Sequence, residues 1–288
     1  MTISFKDKVV LITGGGSGLG RTYALDFAKR GANVVVVDLA GADNVVAEIE
    51  AEGGSAMASS ADVTMRDTVF ELIEQVTGKY GRIDILVNNA GFMRDVNFLN
   101  LTIKECLPVT DVHLTGTIRL SRAVWPIMKR QAYGRILVTT SASGLYGTSG
   151  QAHYSAAKLG VVGLINTLKL EGQKYNIRCN ALAPVAYTRS TASLYPPETE
   201  GRMKPEQVSA GALFLCSESA PNGVILCAGG GTFTKAQIME SQGVTLEPDE
   251  VSPEAVKQNW ARIADMSDPK TYSMGGEQLG VFFARARS

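Results

Sequence analysis

The chain is poor in what metal, redox and membrane proteins concentrate. Among 288 residues it has four cysteines, two histidines and two tryptophans. Cys106, Cys179, Cys216 and Cys227 are widely spaced, so they form no metal-ligand run. Cys179 and Cys227 sit in apolar segments, where cysteine behaves as a small hydrophobe, and the pattern implies a reducing compartment. Net charge is also missing. The 28 Lys and Arg residues balance 28 Asp and Glu residues, which excludes a global field that gathers nucleic acid or an anionic membrane. No apolar run reaches membrane-spanning length. Residues 1–12 lack the basic start and apolar run of a signal peptide. Ala284-Arg285-Ala286-Arg287-Ser288 is not a Ser-Lys-Leu peroxisomal address. These absences lead us to expect a cytoplasmic protein with no metal, nucleic acid or membrane to bind.

What is present is alternation. With 45% hydrophobic residues the chain can bury a large core. Apolar strand patterns near 8–13, 33–38, 55–60, 83–89, 134–140, 177–183 and 223–228 alternate with helical patterns. The helices fall near 18–30, 42–52, 65–80, 102–130, 153–174 and 204–218. Such alternation predicts an α/β fold, a doubly wound parallel sheet of seven strands, in a single domain over 1–231. A more polar C-terminal extension, 232–288, holds Trp260 in a short helical pattern and should pack on the same domain or a neighbouring subunit. The stretch 184–205, with Pro196-Pro197 and Gly201, follows the sixth strand and reads as a substrate lid carrying Ala192, Leu194 and Tyr195.

The first strand ends in a glycine run, Thr13-Gly14-Gly15-Gly16-Ser17-Gly18-Leu19-Gly20, before a helix that stops at Gly31. A glycine turn there lets backbone N–H groups approach a pyrophosphate at the positive end of the helix. The second strand ends in Asp38, eighteen residues past Gly20, where a carboxylate accepts from ribose hydroxyls. It would repel a 2′-phosphate, and no arginine follows at 39 or 40, so NAD is favoured over NADP. Asp62 closes the third strand and is placed to accept from an adenine amine. In Asn88-Asn89-Ala90-Gly91, the last three residues can lie along a cofactor, while Asn88 braces the sheet.

Tyr154 and Lys158 stand four apart in a helical pattern and therefore on one face. The Lys158 ammonium should favour the ionised Tyr154 phenol and lower its pKa, preparing it to exchange a proton with an alcohol or ketone. Ser141 ends the strand thirteen residues upstream.

Together these motifs resemble the short-chain dehydrogenase/reductase family over roughly residues 5 to 230. The resemblance implies Ser141, Tyr154 and Lys158 as catalytic residues. It implies a cofactor site of Gly14, Ser17, Gly18, Leu19, Gly20, Asp38, Asp62, Val63, Asn89, Ala90, Gly91, Pro184 and Thr188, completed by Tyr154 and Lys158. Ser141, Gln151 and Tyr154 would meet the substrate. A closer resemblance runs through His113-Leu114-Thr115-Gly116, Gly150-Gln151-Ala152-His153-Tyr154 and Ser252-Pro253-Glu254-Ala255. It is to the branch formed by the dehydrogenase units of peroxisomal multifunctional enzymes, which implies NAD-linked oxidation of a (3R)-hydroxyacyl-CoA. A hydroxysteroid or other bulky secondary alcohol is the alternative substrate class, and a non-catalytic nucleotide-binding scaffold a remote one. Arg94, Arg189, Arg202 and Lys204 are the candidate contacts for CoA phosphates. His113 stands where most family members carry asparagine. It either supports a proton-relay water near Lys158 or fills a structural slot. Pro184-Val185 replaces the family's Pro-Gly, and the segment after Asp38 is shorter than in the multifunctional branch. The resemblance also implies a homodimer or homotetramer built on the helices near 102–130 and 153–174.

Overall fold

The computed structural model describes residues 2–189, 191–192 and 195–286. Leu194 of the expected lid and the terminal Arg287 and Ser288 lie outside them. The described residues divide into two compact units, one ending at Lys235 and one beginning at Ala236.

The first unit is an eight-stranded sheet, ordered β3-β2-β1-β4-β5-β6-β7-β8. Its parallel strands are β1 (Val9–Thr13), β2 (Asn33–Val37), β3 (Ser55–Ser59), β4 (Ile85–Asn88), β5 (Gly134–Thr139), β6 (Ile177–Val185) and β7 (Ile225–Gly229). These seven match the expected strands; β8 (Thr232–Ala236) is an addition. Gly230 and Gly231, at φ 57° and 76°, make a two-residue link that only an antiparallel neighbour accommodates. That hairpin carries the first unit past residue 231.

Helices α1 (Gly18–Lys29), α2 (Ala42–Ala51) and α3 (Arg66–Tyr80) connect the early strands. Burial on both faces explains why β1, β2 and β4 read as continuous apolar runs. On one face Val10, Ile12, Val34, Val36 and Val87 pack with Tyr23 and Phe27 of α1 and with Val208 and Ala212 of the later helix α8 (Pro205–Cys216). The order reverses between β1 and β4, and such a switch point opens a ligand crevice beyond the strand ends.

The single helix expected over 102–130 is divided. A Thr102–Glu105 capping box starts α4 (Ile103–Thr110), a π turn occupies Asp111–Thr115, and α5 (Gly116–Gln131) follows. Pro108 lacks an N–H and its ring crowds the preceding turn, so the helix ladder is weakened just before the π turn. A short helix, α6 (Ala142–Tyr146), separates β5 from α7 (Ala152–Gly172).

The second unit contains α9 (Pro253–Gln258), α10 (Trp260–Ile263) and α11 (Gly275–Arg285), with Ser252 capping α9. An antiparallel bridge joins Glu240 to Lys270. No helix among the described residues is long and apolar enough to cross a membrane.

Candidate active site

A cavity of about 1500 Å³ opens over the carboxyl ends of the strands, large enough for a dinucleotide and a second ligand. At one end lie Gly14, Ser17, Gly18 and Leu19. Gly14 and Gly18 take left-handed φ of 64° and 52°, a turn that side chains resist. Ser17 caps α1 without a side-chain hydrogen bond, so it does not occupy the first-turn N–H groups. Gly20 is the exception to the expected set. It does not line the cavity, and a Cβ there would stand 2.0 Å from the Gly14 carbonyl oxygen. Its role is packing of helix on turn.

Asp38 is held by the backbone. Its Oδ2 accepts from Gly16 N at 2.9 Å and its Oδ1 from Ala40 N at 3.2 Å. That fixes a carboxylate, with lone pairs left for further donors, at the rim of the cavity. Asp62 also lines it, but its Oδ1 already accepts from Thr64 N and Oγ1, each at 2.8 Å. Val63 is pinned by Arg119 Nη1, which donates to its carbonyl at 2.5 Å. Asn89, Ala90 and Gly91 line the middle. The Asn89 amide turns onto the glycine loop, donating to Thr13 O and Gly14 O, while Thr13 Oγ1 accepts from Asn89 N and Ala90 N. Asn88, at the end of β4, is buried and donates to Ser121 of α5 at 3.3 Å, a tie from strand to helix and not within the sheet. Pro184 and Thr188 line the same cavity, and Thr188 faces Gly18.

At the other end Ser141, Tyr154, Lys158, His113 and Gln151 come together. Ser141 is the N-cap of α6, its Oγ accepting from Ser143 N at 3.1 Å. Gly144 lets α6 rest on α7; a Cβ there would be 2.7 Å from that of Lys158. The Lys158 ammonium is buried and donates to Thr139 O at 2.7 Å, and Thr140 Oγ1 donates to the Lys158 carbonyl at 2.6 Å. Burial pushes Lys158 down to about 7. Its expected effect on Tyr154 does not appear. Burial raises the phenol pKa, Ser141 opposes that rise, and the Lys158 Nζ sits 5.7 Å from the Tyr154 ring centroid. With Nζ drawn to Thr139, desolvation is the larger influence on the phenol.

The π turn carries His113, which is buried, with Nε2 2.8 Å from Phe92 O and its ring edge-on to Tyr154 at 5.1 Å. Burial, then the nearby Lys158, pushes it down to about 3, so at neutral pH the imidazole is uncharged. Nε2 lies within reach of both the Phe92 carbonyl oxygen, at 2.8 Å, and the Phe92 N–H, at 3.2 Å, so this contact serves either neutral tautomer. The His113 carbonyl accepts from Thr117 Oγ1 at 2.9 Å. Gly91 is needed beside it, because a Cβ would lie 2.1 Å from the imidazole Cε1.

Of the expected lid, Tyr195 lines the cavity and Ala192 does not. Among the four basic candidates only Arg189 does. Sequence reasoning missed Thr139 and Asp95. Both line the cavity, and both act through contacts distant in sequence: Thr139 with Lys158, and Asp95 with Gln151 at 2.9 Å. No local pattern marks either.

The short chain dehydrogenase family model matches residues 8–197. The mouse peroxisomal multifunctional enzyme type 2 is 44% identical over 92% of the chain, which spans 38% of that protein. A short-chain type dehydrogenase/reductase of Mycobacterium tuberculosis is 42% identical over 92% of the chain and 96% of its own length. The full-length Drosophila melanogaster peroxisomal multifunctional enzyme type 2 superposes with a TM-score of 0.86 at 37% identity, covering 98% of this chain and 50% of that one. A 7α-hydroxysteroid dehydrogenase, solved with NADH and 7-oxo glycochenodeoxycholic acid, superposes at 0.74 with 32% identity, over 79% and 95% of the two chains. The chain belongs to the short-chain dehydrogenase family.

Proposed function

We propose that this short-chain dehydrogenase interconverts a (3R)-hydroxyacyl-CoA and its 3-ketoacyl-CoA, with NAD as the preferred partner. The observation that carries the reading is one continuous cavity, with the glycine turn and Asp38 at one end and Ser141, Tyr154 and Lys158 at the other. The residues fit a dinucleotide. The glycine turn and the start of α1 would take the pyrophosphate, Asp38 the adenosine ribose, and Thr188 the carboxamide. NAD supplies a hydride acceptor.

For oxidation, Ser141 Oγ holds the substrate oxygen and Tyr154 takes the hydroxyl proton. Lys158, brought near neutrality by burial, regains its proton readily beside an anionic ligand and then draws the phenol pKa down. His113, uncharged against Tyr154, adds no positive charge that would compete. NAD is preferred because a 2′-phosphate would meet the fixed Asp38 carboxylate.

The multifunctional relatives support an acyl-CoA substrate, and Arg189 at the cavity supports a phosphate-bearing one. A second reading, a hydroxysteroid or similar bulky alcohol, draws on the likeness to the 7α-hydroxysteroid dehydrogenase. We also assign self-association, as a homodimer or homotetramer, to α4 and α7. Ile103, Leu107, Leu159 and Leu170 on these helices are exposed apolar residues. NAD reduction with (3R)-hydroxyacyl-CoAs of several lengths and with a 17β-hydroxysteroid tests the substrate. Steroid turnover with no acyl-CoA turnover would overturn the leading reading.

A further inference from the structure

Two turns meet beside the cavity: residues 61–64, which follow β3, and the π turn at Asp111–Thr115, which sets the His113 ring against Tyr154. One side chain spans them. Arg119 of α5 donates from Nη1 to the Val63 carbonyl at 2.5 Å and places Nη2 3.7 Å from Asp111 Oδ1. The backbone makes the same junction tight. A Cβ at Gly116 would stand 3.0 Å from Val63 Cγ2 and 3.2 Å from the Asp111 carbonyl oxygen. The other side-chain bonds of residues 61–64 are local, reaching no further than Ser59 and Thr68. They shape that turn but do not fix where it stands. Arg119 can fix it, because a guanidinium presents its donors as a planar fork and holds a carbonyl and a carboxylate at one spacing. What it holds on the other side is an interruption of the helix ladder, a kind of turn that recurs at functional sites.

We propose that Arg119 is a positioning residue that couples the two ends of the cavity: a nucleotide seated against residues 61–64 steadies the π turn through Arg119 and Asp111, and with it the His113 ring beside Tyr154. This rests on the reading of the cavity as a nucleotide site. Arg119 does not itself line the cavity, whereas Val63 and Asp111 do, so it acts through them. The ion pair is partly exposed and contributes little stability by itself. Its effect lies in the relative position of the two turns. Such coupling is reciprocal, so a π turn freed from Arg119 also weakens the nucleotide.

The test is amide hydrogen exchange on the full chain with AMP, which fills only the adenosine end. In wild type, saturating AMP should slow exchange at residues 14–19 and 61–64, and also at 110–115 by about fivefold. Arg119→Met should bind AMP about tenfold more weakly. At matched saturation it should keep the protection of 14–19 and lose that of 110–115. Asp111→Ala, which leaves the Val63 bond in place, should keep the protection of 61–64 and lose that of 110–115. A general loosening of the fold would instead lower protection in every segment. Equal protection of 110–115 in wild type and Arg119→Met would overturn the proposal. So would its absence in wild type while 14–19 is protected. If Arg119→Met does not fold, Asp111→Ala decides, and protection of 110–115 retained there overturns the coupling. AMP that protects no segment of wild type would overturn the nucleotide reading, and the coupling with it.

Discussion

At the glycine-turn end of the cavity the buried and half-buried polar side chains are already bonded to the protein, with the exposed Ser17 hydroxyl left over, whereas at the Tyr154 end several buried ones are not. Asp38, Asp62, Asn89 and Thr13 each have partners from neighbouring loops. At the other end Thr139 Oγ1, His113 Nδ1 and Gln151 Oε1 are buried and, among the described residues, unpaired. Buried polar atoms without partners are expensive, and of the eleven among the described residues these three belong to residues that line the cavity. The nucleotide end is preorganised by backbone and glycine geometry. The catalytic end stores its demand in side chains.

The sharpest way to break this contrast is to remove one hydroxyl at the reacting end. Tyr154→Phe should lower kcat by about 10²–10⁴, the range for loss of a general base. NADH affinity, measured by fluorescence titration, should stay within a fewfold, because the ring remains. Activity close to wild type would remove Tyr154 from the mechanism.

At the preorganised end the damage should be to folding. Gly20→Ala places a Cβ against the Gly14 carbonyl and should lower stability by about 1–3 kcal/mol, read as a shift in denaturation midpoint. Unchanged stability would mean that the turn gives way, contrary to the packing role. Asp38→Ala should act on selectivity instead, narrowing the ratio of NAD to NADP efficiencies with little change in kcat. An unaltered ratio would show that the carboxylate does not set the preference.

A further effect, visible only as a dependence on pH, concerns Lys158. Its folded pKa lies near 7, below the ordinary 10.5, so between these values the unfolded chain binds more protons. Stability without cofactor should therefore rise with pH across that window, and Lys158→Met should flatten the rise. Parallel profiles for the two proteins would show that Lys158 is not strained by burial.

Much of this arrangement is legible in the sequence. The seven parallel strands follow from short apolar runs between helical patterns, and Ser141, Tyr154 and Lys158 from their spacing. What escapes depends on distant contacts. The π turn at Asp111–Thr115 has the same local pattern as a helix, and only the ring of His113 against Tyr154 and Phe92 shows its use. Strand β8 is polar and exposed, so no periodic apolar signal marks it. Gly20 has the composition of a ligand-binding glycine, but the Gly14 carbonyl, not a cavity, lies beside it. Asp95 gains its meaning from Gln151, fifty-six residues away.

The central claim is that the two ends act as one site on an R-configured hydroxyl. Initial rates of NADH formation from (3R)- and (3S)-hydroxybutyryl-CoA, each with NAD and with NADP, test it most directly. The account predicts turnover of the (3R) epimer with NAD, weaker turnover with NADP and little with (3S). Preference for the (3S) epimer, or equal efficiency with NADP, would contradict it.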